Sequence, residues 1–122
     1  MFYPTLLAAP HEDKLGLELV LAHVSGREGV WVDASEHAEA EILPADWQYA
    51  NGLPQAGALP DVVLIRPAWL TNSPVTEQYR VLEGQGDSNC KTISRADVAH
   101  FVAERVVPQW DAWKGRAVSI GY

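Results

Sequence analysis

Apolar side chains recur at helical spacing between residues 11 and 24. Leu15, Leu19 and Val20 fall on one face of this segment, and Pro10 stands directly before a first turn that carries acidic side chains. Negative charge stabilises the N-terminal end of a helix, where backbone N–H groups lack partners. The pattern predicts a helix over residues 11–24.

A second helical pattern lies between residues 94 and 106. Ser94 and Asp97 have the spacing of a capping box, in which the hydroxyl accepts a backbone hydrogen bond and the acidic side chain reaches back to the start of the helix. Pro108 ends the pattern, because proline cannot continue a helix. The predicted stripe consists of Val98, Phe101, Val102, Arg105 and Val106.

Short apolar runs in the second half of the chain predict strands. Residues 62–65 are apolar throughout, as in a strand covered on both faces of a parallel sheet, and Pro67 is predicted to stop its hydrogen bonding. Residues 79–82 and 92–93 favour a loose hairpin, and residues 117–120 a final strand.

Residues 33–60 are predicted to form a long irregular loop. They contain three prolines and two glycines, and at most one short helix, around residues 35–43. The whole chain has 122 residues, which is enough for a single modest core. We therefore predict one domain over residues 1–122.

Composition excludes several classes of partner. The chain has 9 Lys and Arg residues against 16 Asp and Glu residues, a formal net charge of -7, so nucleic acid and anionic membrane surfaces would be repelled. Cys90 is the single cysteine and forms no internal disulfide, and no Cys or His residues have zinc-binding spacing. The first residues lack the features of an export signal. These observations predict a metal-free cytoplasmic protein with no nucleic acid or membrane partner.

The order of a strand ending in Arg-Pro, a turn, a capped helix and a final strand resembles the C-terminal half of the atypical short-chain dehydrogenase/reductase superfamily. These are NAD(P)-binding proteins that include the NmrA-like group, and its fungal members look similar in having a long loop ahead of the Arg-Pro strand. The motifs that carry the resemblance are DKLGLE (13–18), LPADW (43–47), VVLIRPAWLT (62–71), YRV (79–81), TISRADVAHFVAER (92–105) and GRAVSIGY (115–122).

The resemblance implies an α/β fold. It would be a truncated Rossmann-like fold that lacks the N-terminal nucleotide-binding half and keeps a few-stranded sheet with helices. In the family, a glycine-rich turn between a strand and a helix holds the dinucleotide pyrophosphate. None of the nine glycines of this sequence follows a predicted strand and opens a predicted helix. We therefore expect no cofactor, and we expect NAD(P)H not to bind.

A sheet of two or three strands leaves backbone groups and apolar surface exposed. The exposed apolar surface costs roughly 25 cal/mol per Å². Two copies could cover it by pairing their sheets or by packing them face to face. We therefore predict a homodimer that completes the fold; the alternative is that the chain is a fragment of a longer protein.

Asp13 and Lys14 belong to a charged cluster at the start of the first predicted helix. The resemblance places Lys14 near the lysine of the Tyr-x-x-x-Lys pair that many dehydrogenases of the superfamily use, where the phenol acts as an acid. Pro10 occupies the tyrosine position of that pair, and Tyr3 is the nearby phenol. The alternative is a solvated helix cap with an Asp–Lys exchange on its surface.

Arg66, Tyr79 and His100 complete the predicted catalytic residues. Arg66 either pairs with a carboxylate or enolate-like oxygen at the strand end or anchors its own loop through Asp61 or Glu18. The resemblance brings Tyr79 towards a substrate pocket. His100 adjoins the apolar stripe of the second helix, where it is either structural or a general base, since histidine titrates near neutral pH.

The resemblance also implies that the Arg-Pro strand ends beside that pocket. Pro67, Trp69 and Thr71 are then predicted to contact the substrate, and the Trp69 ring suits a flat apolar ligand. Arg95 lies in a segment that approaches the pocket in the family, and Tyr3 is included as a binding residue.

Three functions are compatible with these observations. The first is a cofactor-independent cyclase, isomerase or dehydratase that orients a small hydrophobic metabolite, such as a polyketide or terpenoid of secondary metabolism, and shields it from water. The second is a non-catalytic NmrA-like binding or regulatory module. The third is an NAD(P)H-dependent oxidoreductase of which this chain is a fragment.

Overall fold

The computed structural model describes residues 8–84 and 89–122, with side chains described from residue 13 onwards. The chain divides into two compact units, Met1–Pro60 and Asp61–Tyr122. The expectation that the whole chain folds as one domain stays a prediction.

Helix α1 (Ala8–Ser25) confirms the helix predicted in the first unit, and it extends slightly beyond the predicted segment at both ends. Gly26 follows it in the left-handed conformation, with φ 77°. The N–H group of Gly26 donates to the carbonyl of His23 at 3.1 Å. Glycine commonly ends helices in this way, because it adopts a positive φ without steric penalty.

The long loop of the first unit returns to the C-terminal end of α1. The N–H groups of Gly57 and Leu59 donate to the carbonyls of His23 and Val24, at 3.1 and 2.8 Å. A Cβ atom at Gly26 would lie 3.2 Å from the Cα atom of Gly57. Glycine at these positions therefore allows the two segments of backbone to approach closely.

Residues 33–60 are irregular, as predicted, apart from the short 3₁₀ helix Trp47–Tyr49. The helix considered around residues 35–43 does not form. The Leu43 N–H group donates to the Glu39 carbonyl at 2.9 Å, but this closes only a single turn. A segment this short makes too few backbone hydrogen bonds to offset the free energy of helix nucleation.

The second unit has the predicted α/β fold: in its described part, four strands are followed by helices and a final strand. Among the described residues, three strands form a mixed sheet in the order β1-β5-β3, in which β1 is parallel and β3 antiparallel to β5. Two others, β2 and β4, pair in parallel as a separate small sheet. The strands are β1 (Leu64–Pro67), β2 (Trp69–Thr71), β3 (Arg80–Glu83), β4 (Thr92–Ser94) and β5 (Ala117–Gly121).

The predicted hairpin between β3 and β4 was wrong. β3 pairs with β5, and β4 pairs with β2. Val118 and Ile120 of β5 are 0% and 1% exposed, which makes β5 the centre of its sheet. A strand that buries its side chains must also pair its backbone, so β5 takes neighbours on both edges.

Pro67 does not stop the hydrogen bonding of β1 as predicted. The N–H groups of Leu64 and Ala68 donate to the carbonyls of Arg116 and Ile120, each at 2.9 Å. The donors that face β5 are thus an even number of positions apart, and the position of Pro67 falls between them. Its missing N–H group lies on the opposite edge of β1, where proline is tolerated.

Helix α2 (Arg95–His100) begins as predicted at Ser94. The Ser94 hydroxyl accepts a hydrogen bond from the N–H group of Asp97 at 3.0 Å. The other half of the predicted capping box was wrong, because the Ser94 N–H group donates instead to the Tyr122 hydroxyl at 3.1 Å. The Asp97 carboxylate is used elsewhere.

The segment after α2 is a π-helix, Phe101–Val106, in which the Val107 N–H group donates to the Val102 carbonyl five residues earlier. This widened turn changes the predicted stripe. Phe101 and Val106 are buried, whereas Val102 is 36% exposed and Arg105 is also exposed. A five-residue spacing puts the first and last residues of the π-helix on the same face.

The core of the second unit lies between its sheet and its helices, which include α3 (Trp110–Trp113). The buried cluster consists of Ile93, Phe101, Val106, Trp113, Val118 and Ile120.

No helix in the described part of the chain is both long and apolar enough to cross a membrane.

Candidate acid–base site

Tyr79 and His100, predicted as catalytic residues from separate segments, lie in contact. Tyr79 directly precedes β3, and His100 is the last residue of α2. The phenol oxygen is 2.8 Å from Nδ1 of the imidazole, and the two rings meet edge to face. Both side chains are half-buried. A hydroxyl and an imidazole at this distance can exchange a proton.

Glu77 lies on the other side of the imidazole. Its Oε1 atom is 3.3 Å from Nε2 of His100. In the tautomer that carries its proton on Nε2, a neutral His100 accepts the phenol proton of Tyr79 at Nδ1 and directs its own N–H group at Glu77. The resulting order of carboxylate, imidazole and hydroxyl matches the roles of a hydrolase triad, with a phenol in place of serine.

The buried carboxylate of Asp97 holds the segment that carries Glu77. Its Oδ1 atom accepts hydrogen bonds from the N–H groups of Thr76 and Glu77, both at 2.9 Å. Its Oδ2 atom accepts the hydroxyls of Thr76 at 2.7 Å and Tyr122 at 2.5 Å. Glu77 has a φ of 59°, which is unfavourable for a residue with a side chain. The hydrogen bonds to Asp97 therefore stabilise a strained turn.

The same hydrogen bonds set the charge of Asp97. Burial alone would raise the pKa of this carboxyl, but hydrogen bonds from Tyr122, Glu77 and Thr76 outweigh burial and hold the pKa well below its ordinary value. Asp97 is consequently a carboxylate at neutral pH, as four donated hydrogen bonds require.

Burial raises the pKa of the Tyr79 phenol. The guanidinium of Arg105 opposes this shift, whereas the negative charges of Asp97 and Glu77 reinforce it. Tyr79 is therefore protonated at neutral pH, so it can donate a proton to a substrate oxygen.

The predicted substrate-binding residues of the second unit lie at the end of β1, in β2 and at the start of α2. Pro67 is the last residue of β1, and Trp69 and Thr71 are the two ends of β2. Trp69 is 66% exposed. The Arg95 guanidinium donates to Oδ1 of Asn72 at 2.6 Å, a partner that the sequence did not predict. Their contact with a substrate stays a prediction.

The other predicted residues are divided between the two units. Asp13 and Lys14 are exposed on α1 of the first unit. Arg66 lies in β1, half-buried and in register with Ser119 of β5. Tyr3 lies outside the described residues. Their catalytic and binding roles stay predictions.

The first unit contains an open groove of about 720 Å³, and none of the predicted site residues lines it. The lining of this groove mixes apolar and acidic side chains, among them Leu19, Val32, Trp47, Glu28, Glu36 and Glu39.

Within residues 8–84 and 89–122, no group of three or more His, Cys, Asp or Glu side chains is arranged to hold a metal ion.

The described residues do not fit the pyrophosphate of a dinucleotide. In this part of the chain, the junction between β4 and α2 is the one place where a strand leads directly into a helix, and it contains no glycine. The helix begins beside the buried Asp97 carboxylate, whose negative charge would repel a phosphate.

Sequence reasoning missed Glu77 as the partner of His100 and assigned Asp97 only to helix capping. The one available signal was that Glu77 is two residues from Tyr79, itself a predicted site residue. A left-handed turn at a glutamate has no sequence signature, because glycine or asparagine usually marks that conformation. The long-range role of Asp97 required the folded arrangement of three segments.

A family model described as NAD(P)H-binding matches residues 23–107, which is well over half of the chain. The matched range includes Glu77, Tyr79, His100 and Arg105. No curated protein and no solved structure matches the chain.

Proposed function

The chain belongs to the NAD(P)H-binding family, and within this family we propose that it acts as a cofactor-independent proton-transfer enzyme on a small hydrophobic metabolite. The observation that carries the proposal is the 2.8 Å contact between the Tyr79 hydroxyl and Nδ1 of His100, with Glu77 on the other imidazole nitrogen. The lack of a fitting pyrophosphate site among the described residues favours chemistry without hydride transfer.

Each member of the series has a distinct role. Tyr79 donates its proton to a substrate oxygen, because burial keeps the phenol protonated at neutral pH. Nδ1 of His100, once the phenol proton has left, accepts a proton from the substrate carbon and then passes it to the phenolate, which restores Tyr79. Glu77 orients the imidazole and stabilises the positive charge that develops when it accepts a proton. Asp97 holds Glu77 in place through the backbone.

Reactions of this kind include enolisation, isomerisation, cyclisation and dehydration. In each of them a proton moves to or from oxygen or carbon, and no electrons are exchanged with a cofactor. The predicted binding residues Pro67, Trp69, Thr71 and Arg95 would orient the apolar part of the substrate. Arg66, Lys14 and Asp13 remain further candidates for charge stabilisation.

Proton exchange in D₂O tests the proposal without knowledge of the natural substrate. The protein is incubated with a panel of hydrophobic cyclic ketones and 1,3-diketones, and the loss of protons next to the carbonyl is followed by NMR. We expect at least one compound to exchange faster than in buffer. Tyr79→Phe and His100→Gln should lower that rate by about 10²-fold, the usual contribution of a general acid or base.

Two matched variants control for general damage. Tyr49 is a strongly exposed phenol and His37 an exposed imidazole, both in the first unit. Tyr49→Phe and His37→Gln should leave the exchange rate unchanged. Exchange that persists in both Tyr79→Phe and His100→Gln, or that no compound in the panel shows, would contradict the proposal.

A second candidate function is that of an NAD(P)H-dependent oxidoreductase in which residues other than those described hold the dinucleotide. The family match is the observation that favours it. Titration with NADPH, followed by tryptophan fluorescence, separates the two candidates. Saturable binding together with reduction of a ketone would support the oxidoreductase and overturn the expectation that no cofactor binds.

A further inference from the structure

Arg105 presents a positive charge beside the acid–base series. It lies on the exposed side of the π-helix. Its Cζ atom is 5.9, 5.4 and 5.6 Å from the ring centroids of Tyr79, Phe101 and Trp113. Contact with three aromatic rings fixes the guanidinium in one place and reduces the entropy that it would lose on binding a ligand.

Among the described residues, the Arg105 guanidinium forms no ion pair with a carboxylate, whereas Arg116 pairs with Glu83 and Lys114 pairs with Asp111. Glu77, the acidic side chain of the same site, is directed at His100.

We propose that Arg105 binds an anionic oxygen of the substrate, so that the substrate class is a small hydrophobic carboxylate. The inference rests on the proposed function and adds the substrate's charge to it. A guanidinium presents several N–H donors in one plane, which matches the two oxygens of a carboxylate. Held there, the substrate would place its reacting oxygen near the Tyr79 hydroxyl, and no bond to Arg105 forms or breaks.

Benzoate and its neutral isostere benzamide test the proposal as probes. The protein is labelled with ¹⁵N, and the indole N–H signal of Trp113 is followed during each titration. We expect benzoate to shift this signal saturably and benzamide to bind at least several-fold more weakly. Arg105→Gln should weaken benzoate binding about tenfold, in line with the loss of a charge-assisted hydrogen bond.

Arg116→Gln is the matched control, because the Arg116 guanidinium also stacks on Trp113, at 4.3 Å from the ring centroid, but is already paired with Glu83. It should leave benzoate binding unchanged. Arg105→Lys keeps the charge and should bind benzoate more tightly than Arg105→Gln, which separates charge from loss of packing. Equal binding of benzoate and benzamide, no saturable shift, or equal losses in Arg105→Gln and Arg116→Gln would overturn the proposal.

The failure of this inference is distinguishable from that of the proposed function. His100→Gln should lower the rate of proton exchange by about 10²-fold while still binding benzoate. If benzoate binds through Arg105 but no exchange depends on His100, the proton-transfer function fails and the anion site stands. If exchange depends on His100 but benzoate and benzamide bind alike, the anion site fails and the proton-transfer function stands.

Discussion

Asp97 is the residue that joins the parts of the candidate site that are far apart in sequence. Its carboxylate accepts hydrogen bonds from Thr76, Glu77 and Tyr122, which come from two segments outside its own helix. Because these donors outweigh the effect of burial, the pKa of Asp97 lies below its ordinary value. The geometry of Glu77, and through it that of His100, therefore depends on one buried charge.

We expect Asp97→Asn to lower the free energy of unfolding at pH 7 by roughly 1–3 kcal/mol, because an amide cannot accept from all the donors. The pKa of Asp97 is lower in the folded chain than in the unfolded chain, where it is about 4. Its contribution is fully present above that pH and is lost as the pH falls towards the folded-state pKa. Urea unfolding at pH 7 and pH 3 measures both effects.

The control for this prediction is Asp46→Asn, since the Asp46 side chain makes no capping hydrogen bond at its short helix. That variant should leave the stability at pH 7 unchanged. An Asp97→Asn variant as stable as the original protein, with the same dependence on acid, would contradict the assigned role.

The strain at Glu77 gives a second prediction at this scale. Glu77→Gly removes the side chain from a left-handed position, so we expect stability to stay the same or to rise by about 1 kcal/mol. The same change removes the carboxylate beside His100, and proton exchange should fall. Thermal unfolding and the D₂O assay measure the two outcomes; a variant that loses stability and keeps its exchange rate would show that the turn serves structure alone.

At the scale of elements, the π-helix decides which side chains face the core and which face the site. An α-helix would put Val102 and Arg105 on the stripe with Phe101. The widened turn instead buries Val106, while Arg105 is exposed and its guanidinium lies against the rings of Phe101 and Tyr79. One irregular turn thus provides both a packed core and a cation next to the proton donor.

This arrangement predicts unequal effects of two similar truncations. Val106→Ala should lower the free energy of unfolding by about 2 kcal/mol, because it leaves a cavity in the buried cluster. Val102→Ala should change it by no more than about 0.5 kcal/mol, because Val102 is partly exposed. Chemical unfolding of both variants measures the difference, and equal losses would indicate an α-helical turn.

At the scale of the whole molecule, the second unit has more sheet edge than its described strands cover. β1 and β3 are each paired on one side only among the described residues, and β2 and β4 form a separate two-stranded sheet. Small sheets of this kind gain stability when another surface covers them. These uncovered sheet edges are the physical reason for the homodimer predicted from the sequence, which stays a prediction.

We expect sedimentation equilibrium to give twice the chain mass of 13.4 kDa. The dimer should dissociate on dilution if the covered surface is small, since association depends on concentration. Chain mass alone at every concentration, with a folded spectrum, would count against self-association.

The candidate site was predictable in part. Tyr79 and His100 were named from the sequence, and the structure brings them into contact. Glu77, Arg105 and the positioning role of Asp97 were missed, because their roles depend on a strained turn, a widened helical turn and contacts across 20 or more residues.

The sequence by itself determined the features that depend on neighbouring residues. Apolar spacing determined α1, the cap at Ser94 determined the start of α2, and the apolar run in residues 117–120 determined β5. Only the tertiary structure decided which strands pair, that the helix after α2 widens, and that Asp97 binds the turn at Glu77. The physical reason is that short-range patterns fix local backbone preferences, whereas strand partners and buried hydrogen bonds are chosen by what the folded core can cover and satisfy.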